Sequence, residues 1–269
     1  MKYAGRPVAA NVSILFTEHD YLDRFAAAAA AGFDLVESWW PFATATPEPA
    51  AVDELIERIR RSGLSLIALN VWAGDMPGGE RGVATLEGRS TEIAASLATL
   101  RRIAEATGCA RFNLLLGRLD DPLAGTPEQA WRRAVDTVRQ TADQLRDVGT
   151  VLIEPLSGLP TGAFPVTTDA QAVDFVTACD RENVAILFDA YHLGANDVDL
   201  AAAVRRTSGL VAHVQLADAP GRGAPGTGSL PLRETVEQLV AAGYDGPIGA
   251  EYAPGAPTES TLGWVDPAV

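Results

Sequence analysis

The sequence predicts a single (β/α)8 barrel over residues 1–269, on three observations. Short apolar, β-branched runs alternate with longer helical stretches along the whole chain, which argues for parallel β/α architecture. The runs are nearly continuous in apolar residues, as strands covered on both faces must be. The length of 269 residues is ordinary for one such barrel, and no linker divides it. A doubly wound open sheet is the alternative that fits the same alternation.

The elements follow in order. Ala10–Leu15 reads as the first strand and Tyr21–Ala31 as the first helix, stopped by Gly32. Leu35–Trp39 is the second strand, Val52–Arg61 the next helix, and Gly63 precedes the third strand at Leu64–Val71. Ser90–Thr107 is helical up to Gly108, and Arg111–Leu116 follows as a strand. Thr126 before Pro127, with Gln129 three residues on, marks the start of a helix over Pro127–Asp147. Gly149 then leads into the strand Val151–Glu154. Ala170–Ala178, Leu200–Arg206 and Leu232–Ala242 are helical, the last ending at Gly243. The strands between and after them are Val184–Phe188, Val211–Leu216 and Pro247–Glu251. Gly32, Gly63, Gly108, Gly149 and Gly243, each between a helical stretch and a strand, suit a left-handed cap. Proline and glycine gather at Gly74–Gly82 and Pro220–Gly228, both after strands, where barrel loops cover a catalytic face.

Composition narrows the function. A formal net charge of −14 repels phosphate backbones, so nucleic acid is not an expected partner. Lys2 is the only lysine, which removes Schiff-base chemistry inside the barrel. Three histidines, His19, His192 and His213, are too few for an imidazole-rich multi-zinc site. Cys109 and Cys179 are the only cysteines, so a disulfide framework is not expected and a reducing cytoplasm fits. No apolar run is long enough to span a bilayer, and the first residues lack the apolar stretch of a signal peptide.

Four polar residues end four successive strands: Glu154 in Val-Leu-Ile-Glu-Pro, Asp189 in Ile-Leu-Phe-Asp-Ala, Gln215 in His-Val-Gln-Leu, and Glu251 in Ile-Gly-Ala-Glu-Tyr. In a barrel that end is the catalytic mouth. Any one of them alone reads equally well as a helix cap or a solvated loop residue. Repeated at four neighbouring strands, they converge. Three carboxylates in one low-dielectric mouth repel unless a cation lies between them. All-oxygen ligation favours a hard divalent ion, Mg²⁺ or Mn²⁺.

The ordered segments Asn11-Val-Ser-Ile-Leu-Phe, Ala73-Gly-Asp, Gly79-Glu-Arg-Gly, Leu152-Ile-Glu-Pro, Asp189-Ala-Tyr-His, His213-Val-Gln-Leu-Ala-Asp, Pro225-Gly-Thr-Gly and Gly249-Ala-Glu-Tyr resemble the hydroxypyruvate isomerase family of xylose-isomerase-like barrels. The similarity runs on to Gly263-Trp-Val-Asp-Pro267. It implies a metal held by Glu154, Asp189, Gln215 and Glu251, with Glu154 and Glu251 as the acid/base pair. The implied reaction is an aldose–ketose isomerisation of a small hydroxy-carbonyl compound such as hydroxypyruvate, by an enediolate or a hydride shift. It also suggests a homo-oligomer. On the substrate side stand His192, Arg222, Asn70, Trp72 and Glu37. Arg222 suits a substrate carboxylate, although a solvated loop arginine fits as well. His213 reads as a satisfied interior histidine, and Glu80 with Arg81 as part of a lid loop or a surface pair. One departure stands out: the family usually carries a histidine beside the asparagine ending the third strand, and here the pair is Leu69-Asn70. A changed substrate side is therefore expected. Epimerisation of a keto-sugar or dehydration of a keto-polyol on the same metal, and a ligand-binding barrel without turnover, are the other functions such a site permits.

Overall fold

The computed structural model describes residues 1–158 and 163–266; Pro267, the last residue of the C-terminal motif, lies outside them. The strands are β1 (Lys2–Tyr3), β2 (Arg6–Asn11), β3 (Leu35–Ser38), β4 (Ser65–Asn70), β5 (Arg111–Asn113), β6 (Thr150–Ile153), β7 (Val184–Asp189), β8 (Val211–Leu216) and β9 (Ile248–Ala250). From β2 onward they pair in parallel and in chain order, and β9 returns to β2 through Val8↔Ile248 and Ala10↔Ala250. The sheet is thus a closed barrel of eight parallel strands, as the alternating pattern predicts. Closure leaves no free edge in the ring. β1 is an extra strand, antiparallel to β2.

Helices wrap the outside: α1 (Arg24–Ala30), α2 (Pro49–Ser62), α3 (Ser90–Thr107), α4 (Pro127–Gln144), α5 (Asp169–Cys179), α6 (Ala190–Ala195), α7 (Leu200–Thr207) and α8 (Leu232–Ala241). Each buries one stripe. α2 buries Val52, Leu55, Ile56 and Ile59, an i, i+3, i+4, i+7 set. These stripes meet the outward faces of the strands in one continuous apolar layer that includes Leu100, Phe112, Val138, Phe175 and Ile186. α4 starts with the expected capping box: Thr126 Oγ1 accepts from Gln129 N, and Gln129 Oε1 accepts from Thr126 N. Gly63 and Gly108 close α2 and α3 in the left-handed conformation. Gly149 is required for a different reason: a Cβ there would collide with the Ala110 carbonyl, because β5 and β6 begin side by side.

Several expectations shift: β5 stops at Asn113, three residues short of Leu116, and α2 begins at Pro49, three residues before Val52. The first strand runs Arg6–Asn11, not Ala10–Leu15. Beyond Asn11 the chain turns, with Ile14 and Leu15 donating to the Asn11 carbonyl. The apolar run Val12–Phe16 is therefore buried in a turn at the barrel mouth rather than in the sheet. α4 stops at Gln144, three residues short of Asp147. α6 is an additional short helix, capped by Asp189, whose Oδ1 accepts from Tyr191 N and His192 N. Among the described residues no helix is long and apolar enough to cross a membrane.

Both cysteines lie in the apolar layer, and burial pushes each thiol up to about 12. A thiol held protonated is a poor nucleophile. Ellman's reagent should therefore find no fast-reacting thiol in the native protein and both after denaturation. A rapid native reaction would show that one of them is exposed.

Candidate active site

The strand ends deliver the four predicted ligands to one place. Asp189 ends β7 and Gln215 lies in β8, while Glu154 and Glu251 directly follow β6 and β9. All four are buried. Adjacent parallel strands set them in register, Asp189 opposite Gln215.

Each ligand is held by a named partner. Glu154 Oε2 accepts from Asn113 Nδ2 at 2.7 Å. Glu251 Oε1 accepts from Trp39 Nε1 at 3.2 Å and Arg222 Nη2 at 2.6 Å, and its Oε2 accepts from Asn11 Nδ2 at 3.0 Å. Asp189 spends Oδ1 on capping α6 and keeps Oδ2 for the site. Gln215 donates Nε2 to Glu37 Oε1 at 2.6 Å, which leaves its Oε1 buried without a partner among the described residues. A carboxylate can only accept from that amide, so the orientation of Gln215 is set by Glu37.

The charge does not balance without a guest. Glu154, Asp189 and Glu251 are three buried acids facing one guanidinium, Arg222. Burial, with Glu251 and Asp189 alongside, raises the Glu154 carboxyl well above its ordinary range. Glu251 is raised too, by burial and by Glu37 and Asp189, against the pull of Arg222. A divalent cation would offset the mutual repulsion of the three carboxylates and supply the partner that Gln215 Oε1 lacks. The donor set therefore fits a hard metal ion.

His192 adjoins this group: Glu154, Asp189 and His192 offer ligand atoms within 4.8 Å of one another. Its tautomer argues for a different role. The Ser157 backbone N–H donates to Nδ1 at 3.0 Å, and burial lowers the ring pKa to about 4. The proton of the neutral ring then sits on Nε2, 3.6 Å from Glu154 Oε1. That edge is a hydrogen-bond donor, not a lone pair for a metal.

A cavity of about 110 Å³ opens over these groups. Its walls include Glu154, Glu251, His192, Arg222, Asn70 and Trp39. Two expected substrate residues do not reach it. Glu37 is 1% exposed inside the barrel, bonded to Asn11, His213 and Gln215, because its side chain points inward one layer below the mouth. Trp72 turns outward and donates Nε1 to Glu92. His213 is interior, with Nε2 2.5 Å from Glu37 Oε2, but it is not the satisfied histidine expected, since its Nδ1 is buried without a partner among the described residues. Leu69 packs in the apolar layer, while its neighbour Asn70 lines the cavity, as strand alternation demands. Leu69 itself does not line the cavity. Arg222 contacts Glu251 directly and stacks over Tyr191 at 5.4 Å. Asn11, Trp39 and Asn113 hold Glu251 and Glu154 and are absent from the expected set, although Asn11 opens one of the segments that carry the resemblance and Asn113 closes its strand on a polar residue as the predicted ligands do.

The profile of a family described as xylose isomerase-like TIM barrel matches residues 25–268. The chain belongs to this family. It is 32% identical to the hydroxypyruvate isomerase of Escherichia coli (strain K12), over 96% of this chain and 97% of that protein. It is 34% identical to the 2-oxo-tetronate isomerase of Cupriavidus necator, over 96% and 97%. A solved structure from Brucella melitensis, titled AP endonuclease, family 2, superposes with a TM-score of 0.87 at 31% identity, over 96% of this chain and 97% of that one. This member of the xylose isomerase-like barrels is an isomerase.

Proposed function

We propose that this barrel is a divalent-metal-dependent isomerase of a small α-hydroxy carbonyl compound, interconverting hydroxypyruvate and tartronate semialdehyde. The observation that carries this reading is the buried set of three carboxylates with one guanidinium and an unpartnered Gln215 oxygen. Glu154, Asp189, Gln215 and Glu251 would hold Mg²⁺ or Mn²⁺. When bound, such an ion polarises the carbonyl and hydroxyl oxygens of the substrate.

The protein groups do the rest. Glu251 is fixed by Trp39, Asn11 and Arg222, so its carboxylate is aimed before substrate arrives. One of the pair Glu154 and Glu251 takes the proton from the hydroxyl-bearing carbon, and a carboxyl group returns it to the neighbouring carbon. His192 Nε2 donates a hydrogen bond into the cavity and adds no charge. Leu115, Leu156 and Phe164 keep water away from the exchange. A cavity of about 110 Å³ suits a compound of three or four carbons; sites for drug-sized ligands run to roughly 300–1,000 Å³. The net charge of −14 weighs against a nucleic-acid substrate.

The test is to strip the protein with chelator, restore Mg²⁺ or Mn²⁺, and follow hydroxypyruvate by NMR in D₂O. Tartronate semialdehyde should form only with metal. Deuterium on the new carbon identifies proton transfer, and its absence a hydride shift. Turnover indifferent to chelation, or no metal uptake, would overturn the reading.

A further inference from the structure

The cavity holds a second guanidinium that the reaction described above does not use. Arg81 lines it together with Met76, Leu115, Leu156 and Phe164. Its sequence neighbour Glu80 does not neutralise it. Glu80 turns the other way, to Arg89 and to the Asp75 N–H, and Arg89 is braced in turn by Glu92, which holds Trp72. Arg222 is committed to Glu251, and Arg118 to Asp120. Among the described residues Arg81 has no acidic partner.

The head group is nonetheless fixed. Arg81 Nη1 donates to the carbonyls of Met76 at 2.8 Å and Glu80 at 2.6 Å. The loop beneath it is pinned by Gly82, whose N–H donates to Ala73 O at 2.8 Å and which pairs with Leu116. Gly82 has φ +100°, and a Cβ there would strike the Leu115 carbonyl, so only glycine lets the loop sit this close to the mouth. Among the described residues Nε and Nη2 have no partner and remain for a guest. Burial, with Arg222 and Arg118 nearby, lowers the pKa of Arg81, the signature of a cation without a counter-ion.

We propose that Arg81 anchors a carboxylate of the substrate, which makes the enzyme selective for short α-hydroxy carbonyl acids over the matching neutral sugars. A planar guanidinium whose Nε–Nη2 edge carries no hydrogen bond among the described residues suits a carboxylate, and the apolar side chains around it offer no competing acceptor. Arg81 takes the carboxylate role ahead of Arg222, whose Nη2 is ion-paired with Glu251 and whose Nε is buried without a partner among the described residues. This inference rests on the isomerase reading of the same cavity.

The test compares hydroxypyruvate with dihydroxyacetone, which carries CH₂OH in place of the carboxylate, in the metal-loaded wild type, Arg81→Met and Arg81→Lys. A charge-assisted pair predicts that Arg81→Met loses on the order of 100-fold in kcat/KM for hydroxypyruvate, mostly through KM, and less than about threefold for dihydroxyacetone. Arg81→Lys should recover part of the loss, keeping the charge without the planar fork. Equal losses on both substrates, or a wild type that does not favour the acid, would overturn the assignment. Calorimetric titration with D-glycerate, an α-hydroxy acid that cannot isomerise, separates the two readings. If neither substrate turns over, the isomerase reading fails by itself. Glycerate binding at least about tenfold weaker in Arg81→Met would still support the anchor, and equal binding would refute it.

Discussion

Glu251→Gln should lower kcat for hydroxypyruvate by about 10²–10⁴-fold while leaving the fold intact. The replacement keeps shape and volume, and the glutamine carbonyl oxygen can still accept from Trp39. It cannot take a proton from carbon, and it removes the anion that Arg222 grips. The same change at Glu154 should be of similar size, because both members of an acid/base pair are needed for each turnover. The measurement is steady-state turnover by NMR at saturating metal, with circular dichroism to check the fold. A kcat within tenfold of wild type for either variant would move the proton transfer elsewhere.

The second large effect is expected one layer deeper. Glu37 is a buried carboxylate that collects Asn11, His213 and Gln215. Gly249 stands opposite on β9, where any Cβ would collide with this carboxylate. Glu37→Ala leaves three polar groups in the barrel interior without their acceptor. The expected loss is about 3–5 kcal/mol of stability, the range for breaking a buried charged cluster by removing one partner. Thermal unfolding should fall by roughly 10 °C. Metal affinity should fall as well, by about 10–100-fold, because Gln215 is then free to turn its amide. Calorimetric Mn²⁺ titration below the new unfolding temperature reads that second effect separately. Unchanged stability would show that the interior relaxes around the gap. Unchanged Mn²⁺ affinity would show that Gln215 is oriented by something else.

The fold was legible because the strands are apolar throughout and the helices are punctuated by caps. The cluster of strand-end polar residues was legible for a related reason: an apolar run that stops on Glu154, Asp189 or Glu251 locates a barrel mouth without coordinates. Register was not. The run Val12–Phe16 has strand composition but packs as a turn, so the first strand was displaced toward it and Asn11 lost its place at the mouth. Glu37 reads as a mouth residue, yet the pleat sends it into the interior. α6 escaped notice because Asp189 both ends a strand and caps a helix. Arg81 and Glu80 are adjacent and opposite in charge, and only the loop path shows that they face apart.

The cavity has two walls of different origin. Glu154 and Glu251, with Asp189, Gln215, Asn11, Glu37 and Asn113 behind them, are tied to strands and to one another. Met76, Arg81, Leu156 and Phe164 stand on loops, touching none of those ligands through a hydrogen bond among the described residues. Inheritance can act on the two walls independently. A mutation at Met76 or Phe164 alters which molecule fits without disturbing the chemistry, whereas a mutation at Glu37 disturbs the chemistry whatever the molecule. A lineage built on this barrel can therefore explore new substrates through small, individually tolerable steps on one wall, while the other stays under constant purifying selection.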